Sequence, residues 1–406
     1  MQVSTRKPRI LLAWELGGGL GHVTKFMVLA ERLQAQGYEL WAACQNLADA
    51  EITLGRLGVR LVPAPVWNGG PGNVPEPINF AGILARKGWL DADGLAGMAR
   101  GWRNLVDAIA PRLIVANHAP GMLLGLRDSD TPILYIDTPF GIPPLESPFP
   151  NMRYWQGDAL LPMMHAVEEQ VLAMANRVLA SLGSSNLSQL CDLFQSVETF
   201  LLGLPELDHY PERQAAESEY HGPLYAEDWG AAPIWPAGEG KHVFVYLDSA
   251  HALFGALLDQ LGRLSCRVLV YSSRLPDAAV SGKSNIVLHN RPLRMSQVLV
   301  KAELVVNHAG YGVSSQALLA GVPLLMLPNH LEQAMLAVRV GELKAGKVLP
   351  NDARLIGGPL RQALADSACT MHAKDFAARH AGQSLASTLD SLVERCVARV
   401  DIAGCR

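Results

Sequence analysis

The sequence predicts an α/β protein made of two Rossmann-like, doubly wound parallel-sheet domains that face a cleft. Three observations carry this. A strand, a glycine turn and a helix follow one another over residues 9–36, the same succession recurs over residues 304–319, and a long aperiodic stretch separates the two halves.

Arg9 to Trp14 reads as a short buried strand, Gly17-Gly18-Gly19-Leu20-Gly21 as a turn, and Val23 to Gln36 as a helix closed by Gly37. Tyr38 to Cys44 is the next strand, so the opening is a β-turn-α-β unit with a right-handed crossover. Arg112 to Ala116 and Pro132 to Ile136 are later strands of the same sheet, with a short helix at Pro120 to Leu126 between them. Met163 to Leu182 is helical, and Phe200 to Leu202 is the last strand of the first half. Val62 to Lys87 and Thr138 to Pro150 are rich in proline, glycine or both and read as surface loops, the expected lips of an acceptor site.

From Leu207 to Lys241 proline, glycine and charge mix without period, which marks the linker. The pattern then restarts with strands at His242 to Leu247, Arg267 to Tyr271, Ile286 to Leu288 and Leu304 to Asn307, and helices at Ala250 to Leu261 and Ser314 to Leu319. A further buried strand lies within Ala320 to Pro328. The domains are placed at 1–222 and 223–385, with a C-terminal helix over 386–406 packing back on the first.

At 406 residues, 49% hydrophobic and 18% charged, the chain has the apolar content for two cores. Its net charge of -4 and the lack of any dense Lys/Arg run argue against nucleic acid as a partner. Six scattered cysteines (Cys44, Cys191, Cys266, Cys369, Cys396 and Cys405) form no CxxC and no metal-ligand spacing, which suits reduced thiols in a cytoplasm. The N-terminal apolar run is broken by Glu15 and glycines, and no run is long enough to span a bilayer, although peripheral membrane contact stays open.

Two segments carry candidate chemistry. In the first, Gly19 and Gly21 lie in the turn before a helix whose free amides and positive dipole end suit a phosphate. Read as GxGxxG the segment fails at His22, and no acidic residue ends the second strand to hold a ribose, so a dinucleotide site is disfavoured. His22, at the first helical turn beyond a strand's carboxyl end, is placed to remove a proton from a hydroxyl, although a lone histidine is more often structural. In the second, Asn307-His308-Ala309-Gly310-Tyr311-Gly312-Val313-Ser314 repeats the strand-turn-helix succession. His308, the amides near Gly310 and Gly312, and the Ser314 hydroxyl are candidates to hold a diphosphate without a metal. Glu332 and Gln333, beyond the next strand, offer groups for vicinal hydroxyls; the bland alternative is a helix start with Glu332 in its first turn.

Taken together these segments resemble the nucleotide-sugar-dependent glycosyltransferases of the UDP-glycosyltransferase type, family 1, with the GT-B fold. The resemblance extends over nearly the whole chain. It is strongest in WELGGGLGHVTKFMVLAERLQAQGYEL, similar to a GHxxP-type opening, and in NHAGYGVSSQALLAGVPLLMLPNHLEQ, similar to the HxGxxS/T, AGVP and (D/E)Q donor signature. It implies an inverting transferase that moves a sugar from a UDP- or dTDP-sugar to a small-molecule or natural-product acceptor. No metal or cofactor is implied, and the chain would work as a monomer or weak homodimer.

Carried over, the resemblance makes His22 the general base and puts His308, Gly310, Gly312 and Ser314 on the donor phosphates. It places Ser249 near the diphosphate, Arg291 in the loop over the base, and Glu332 with Gln333 on the sugar. Departures follow the same positions. Asn117 stands where the family often has the Asp that orients and charges the histidine, so Glu15 or Asp137 is expected to supply the carboxylate, with Glu15 also a candidate base. Lys25 replaces a proline, Val313 a hydroxyl residue, and Asp248 a glycine. The rival readings are a nucleotide-sugar epimerase or hydrolase, and a catalytically silent sugar-nucleotide-binding partner protein.

Overall fold

The computed structural model describes residues 7–213, 219–226, 229–273 and 283–404, with side chains up to 401. Cys405 and parts of the expected linker lie outside the described residues; the other five cysteines are free and buried. The chain divides into two compact units, the first of residues 1–205, 210–225 and 385–406, the second of 206–209 and 226–384.

Unit 1 runs β1 (Arg9–Trp14), α1 (Leu20–Ala35), β2 (Glu39–Cys44), α2 (Leu47–Thr53), β3 (Arg60–Pro63), α3 (Phe80–Leu84), α4 (Ala92–Ile109), β4 (Leu113–Asn117), α5 (Pro120–Gly125), β5 (Ile133–Asp137), α6 (Leu161–Ser181), α7 (Asp192–Gln195) and β6 (Glu198–Leu201). Unit 2 runs β7 (Lys241–Tyr246), α8 (Phe254–Leu261), β8 (Cys266–Tyr271), β9 (Ile286–His289), α9 (Met295–Leu299), β10 (Leu304–Asn307), α10 (Tyr311–Leu319), β11 (Leu324–Met326), α11 (Leu331–Glu342), β12 (Gly346–Val348), α12 (Gly357–Ala365) and α13 (Ser367–Arg379). The chain ends in α14 (Leu385–Gly404), which belongs to unit 1.

Each unit holds one six-stranded, all-parallel sheet, in the orders β3-β2-β1-β4-β5-β6 and β12-β11-β10-β7-β8-β9. Both are the 3-2-1-4-5-6 order of a doubly wound fold, whose ligand crevice lies at the carboxyl ends of the strands flanking the reversal of order. Those strands are β1 and β4 in unit 1, and β7 and β10 in unit 2. The central strands are apolar throughout, as helices on both faces require: Ile10 to Trp14 and Leu113 to Ala116 are fully buried. In unit 2, Val243, Val245, Val268, Val270, Val306 and Leu325 meet Leu257, Leu258 and Leu261 of α8 in one core. The helix α14 is tied to unit 1 by Arg32 to Asp390, by Arg395 and Arg399 on Glu198, and by the Thr388 hydroxyl on the His221 carbonyl.

Several expected boundaries move. The helices α1 and α10 each begin three residues earlier than the glycines suggest, so Gly21 and Gly312 lie inside first helical turns. The helix α8 starts four residues later, because 248–253 form turns held by the Asp248 carboxylate on the Ala250 amide. The segment Thr138 to Pro150 is mostly not a surface lip. Phe140 to Pro144 and Phe149 are buried, and Arg213 binds the carbonyls of Pro139 and Ile142 at 3.1 and 2.6 Å, leaving Leu145 to Ser147 exposed. The expected loop Val62 to Lys87 contains the end of β3 and all of α3. It is anchored by Trp67, whose ring lies so close to Gly69, Gly88 and Gly94 that a Cβ at any of them would come within 2.5 Å of it.

Candidate active site

In unit 1 the turn after β1 has Gly17 at φ 85° and Gly19 at φ 81°, conformations that other residues adopt only with strain. They deliver His22 into the first turn of α1. There the His22 ring stacks on Trp14 at 5.4 Å, and its Nδ1 lies 2.6 Å from the Asn117 Oδ1 at the end of β4. The Asn117 Nδ2 donates to the Ile136 carbonyl at 2.7 Å, which fixes the amide with its oxygen toward the histidine. The His22 Nδ1 must therefore donate, and Nε2 keeps its lone pair. Burial, then the Lys25 cation, lower the His22 pKa to about 4 against the opposing pull of Asp137, so the ring is neutral at physiological pH. A Cβ on Gly17 would sit 2.3 Å from Nε2, so this glycine keeps the proton-accepting edge clear.

The carboxylates expected to serve His22 make their hydrogen bonds elsewhere. Glu15 is 1% exposed and accepts the Gly121 and Met122 amides at 3.0 and 2.9 Å, which caps the start of α5. Burial raises its pKa to about 8 against those two amides and the Trp102 indole. With both oxygens turned into the core, Glu15 is neither the base nor its partner. Asp137 forms a buried ion pair with Lys25 at 3.4 Å and accepts the Thr138 amide at 2.7 Å, with no hydrogen bond to His22. Burial pushes the Asp137 carboxyl up, but Lys25, His118, His22 and the Thr138 amide together hold it below its ordinary value. Orientation of His22 thus falls to Asn117, because an amide reaches as far as a carboxylate. The sequence marks Lys25 only as a departure from the family pattern and Gly17 only as a turn residue, and His118 is not singled out there at all. The GGGLGH string and the histidine after Asn117 were the available signals.

In unit 2 the turn after β10 is stapled by Asn307. Its Oδ1 accepts the Ala309 amide at 2.9 Å, stabilising a left-handed Ala309 at φ 62°, and its Nδ2 donates to the Ser314 hydroxyl at 3.0 Å. Ser314 is fully buried, so the expectation that its hydroxyl meets a phosphate is corrected: it supports the turn from within. The helix α10 opens with Gly310 as its N-cap, a residue with no side chain to bond the helix's first amides. A Cβ on Gly312 or on Gly21 would have nothing within 4 Å.

His308 follows Asn307 at the mouth of this turn, its ring 5.9 Å from that of Tyr246. Burial first, then His330 and His251, lower its pKa to about 4, opposed by Asp248 and the Tyr246 carbonyl. It is therefore neutral at physiological pH with its one N–H turned to that carbonyl, and it meets an anion by taking up a second proton that the anion's charge favours. Beyond β7 the Ser249 amide donates to the Ser272 hydroxyl at 2.8 Å, and Arg291 is exposed just past β9. Glu332 lies in the first turn of α11. The buried Gln333 accepts the Asn329 amide on its Oε1 at 2.8 Å, which commits its carbonyl to the loop before α11. Among the described residues no group of three or more His, Cys, Asp or Glu is arranged to hold a metal ion, and no helix is long and apolar enough to cross a membrane.

No protein-family model matches the chain. A PGL/p-HBAD biosynthesis rhamnosyltransferase of Mycobacterium bovis (strain BCG / Pasteur 1173P2) is 23% identical over 385 residues, covering 90% of this chain and 82% of that protein. NDP-glycosyltransferase YjiC of Bacillus subtilis (strain 168) is 43% identical over 56 residues, which spans only 14% of either chain. Among solved structures, the glycosyltransferase of kitacinnamycin covers 97% of this chain and 100% of its own, with TM-score 0.69 and 19% identity. The spinosyn rhamnosyltransferase SpnG, complexed with thymidine diphosphate, covers 95% and 99% with TM-score 0.62 and 16% identity. The chain has the GT-B type of fold, with two Rossmann-like domains, and in sequence and fold alike it is similar to glycosyltransferases.

Proposed function

We propose that the chain is an inverting, metal-independent glycosyltransferase that moves a sugar from a dTDP- or UDP-sugar to a small-molecule or natural-product acceptor. The observation that carries the reading is His22, locked by Asn117 in the tautomer whose free Nε2 accepts a proton. In the reaction Nε2 takes the acceptor hydroxyl proton while that oxygen bonds to the anomeric carbon. The bond from this carbon to the β-phosphate oxygen breaks, and the nucleoside diphosphate leaves with the electron pair. A single displacement inverts configuration. On unit 2 the Gly312 and Val313 amides at the start of α10, and His308 once a bound diphosphate favours its second proton, receive the charge that builds on the leaving diphosphate. Glycine at positions 21 and 312 supports close ligand approach, since neither a positive φ nor a packed neighbour requires it there. The thymidine diphosphate held by SpnG favours dTDP-sugars as first donors to test.

His22→Ala and His308→Ala test this reading. The first is expected to lower kcat by about 10²–10⁴ with donor binding intact, the second to raise the donor KM, both read as sugar transfer and diphosphate release. Undiminished transfer by both variants overturns the mechanism. Asn117, uncharged beside a histidine of low basicity, also favours a second reading, a silent sugar-nucleotide binder. That reading requires donor binding with no turnover across a broad acceptor panel.

A further inference from the structure

A histidine that takes a proton inside a protein needs two things from its surroundings, a fixed orientation and a nearby negative charge. We propose that this chain divides them: Asn117 orients His22, Asp137 supplies the counter-charge to its protonated ring, and Lys25 restrains that charge until a proton arrives. The inference rests on the reading of His22 as the base.

The geometry joins these groups in one ring of contacts. His22 and Lys25 lie three residues apart, on one face of α1. Asn117 bonds on one side to His22 and on the other to the carbonyl of Ile136, the residue before Asp137. Lys25 closes the ring by pairing with Asp137, both being buried. The groups facing His22 are Lys25 on its own helix, Asn117 and His118 at the end of β4 (the His118 ring at 5.9 Å), Asp137 at the end of β5, and Trp14 at the end of β1. Asp137 alone among them carries negative charge. Its Oδ1 is shared by Lys25 at 3.4 Å and the Thr138 amide, whereas Oδ2 is buried without a partner and lies against Gly141, where a Cβ would come within 1.9 Å. The carboxylate is therefore only half committed. A half-buried His22 cation raises the demand on it, and the long Lys25 contact is the one that yields.

The test is an NMR titration of His22 in the intact chain, beside the acid limb of kcat/KM. In Lys25→Met the His22 midpoint, near 4 in the wild type, is expected to rise by about one unit or more, since one charge within 4–6 Å shifts a pKa by that much. Asp137→Asn is expected to lower it, and the double variant to return it close to the wild type. If Lys25→Met does not fold, Lys25→Gln takes its place. An unmoved midpoint in a folded Lys25 variant, or a midpoint that does not fall in Asp137→Asn, overturns the inference. Absence of transfer by the wild type at every pH would instead overturn the enzyme reading, while the titration still decides this one.

Discussion

Gly17→Ala is the substitution whose consequence follows most directly from coordinates. Its added Cβ would lie 2.3 Å from the His22 Nε2, 2.8 Å from Cε1 and 3.1 Å from Cδ2, where ordinary contact begins at about 3.4 Å. The imidazole must withdraw by roughly 1 Å, and Trp14 behind it and Asn117 beside it leave little room. A 1 Å error in a reacting group costs on the order of 10²-fold in rate, or about 2.7 kcal/mol of transition-state stabilisation. The positive φ at this position adds roughly 1–2 kcal/mol of backbone strain, a loss of a few degrees in Tm for a unit of this size. We therefore expect a folded protein with circular dichroism like the wild type, a modest drop in Tm, unchanged affinity for dTDP, and kcat down about a hundredfold. Transfer by Gly17→Ala within twofold of the wild type would refute the reasoning, because it would mean that the edge of His22 facing Gly17 is not the working edge.

Gly312→Ala should do the opposite to stability. The site is helical and open, so alanine is expected to raise the ligand-free Tm through a gain of up to about 1 kcal/mol, while shrinking the further rise caused by dTDP or UDP; a full nucleotide-induced rise would remove Gly312 from the donor site. Glu15 predicts a pH effect. Its folded pKa of about 8 lies above the ordinary 4.5, so its contribution to stability is complete below 4.5 and is lost as pH rises through 8. His22 and His308, whose pKa values are lowered, act in the other direction and only below about 6.5. Between pH 6.5 and 8, denaturant unfolding should show stability falling by up to about 1.4 kcal/mol per unit from this group, and Glu15→Gln should flatten that decline; an equally steep decline in the variant would show that another group causes it.

The sheets were legible because buried parallel strands are short apolar runs with little else to become. The sequence reading of Arg9 to Trp14 and of Leu304 to Asn307 matches the observed strands residue for residue. β3 and β12 escaped it. β3, at the edge of its sheet, mixes exposed Arg60 and Pro63 with half-buried residues, and β12 is three residues long. The helix α4 also escaped, although Leu95, Met98, Ala99, Trp102, Val106 and Ile109 give it a helical period. Side-chain partners were the least legible part. Nothing in the string shows that Glu15 caps α5 rather than meeting His22, or that Ser314 faces inward to Asn307, because both facts depend on where a distant strand end arrives.

The two histidine turns show why similar strings need not mean similar chemistry. Each follows a strand that borders the reversal of strand order, and each has an asparagine at hand. In unit 1 the asparagine comes from the neighbouring strand, and its carboxamide reaches the histidine itself, which sets one tautomer and leaves one nitrogen free. In unit 2 the asparagine belongs to the same strand as the histidine and spends its carboxamide on Ala309 and Ser314, so it shapes the backbone and leaves the ring to a main-chain carbonyl. A fixed tautomer serves proton removal, whereas a shaped row of amides serves an anion. Exchanging the partners should separate the two roles. Asn117→Ala is expected to lower kcat with little change in donor KM, as His22 loses its fixed tautomer. Asn307→Ala is expected to raise donor KM and lower Tm, as the turn loosens. If both variants changed the same kinetic constant in the same way, the division of labour between the two turns would not hold.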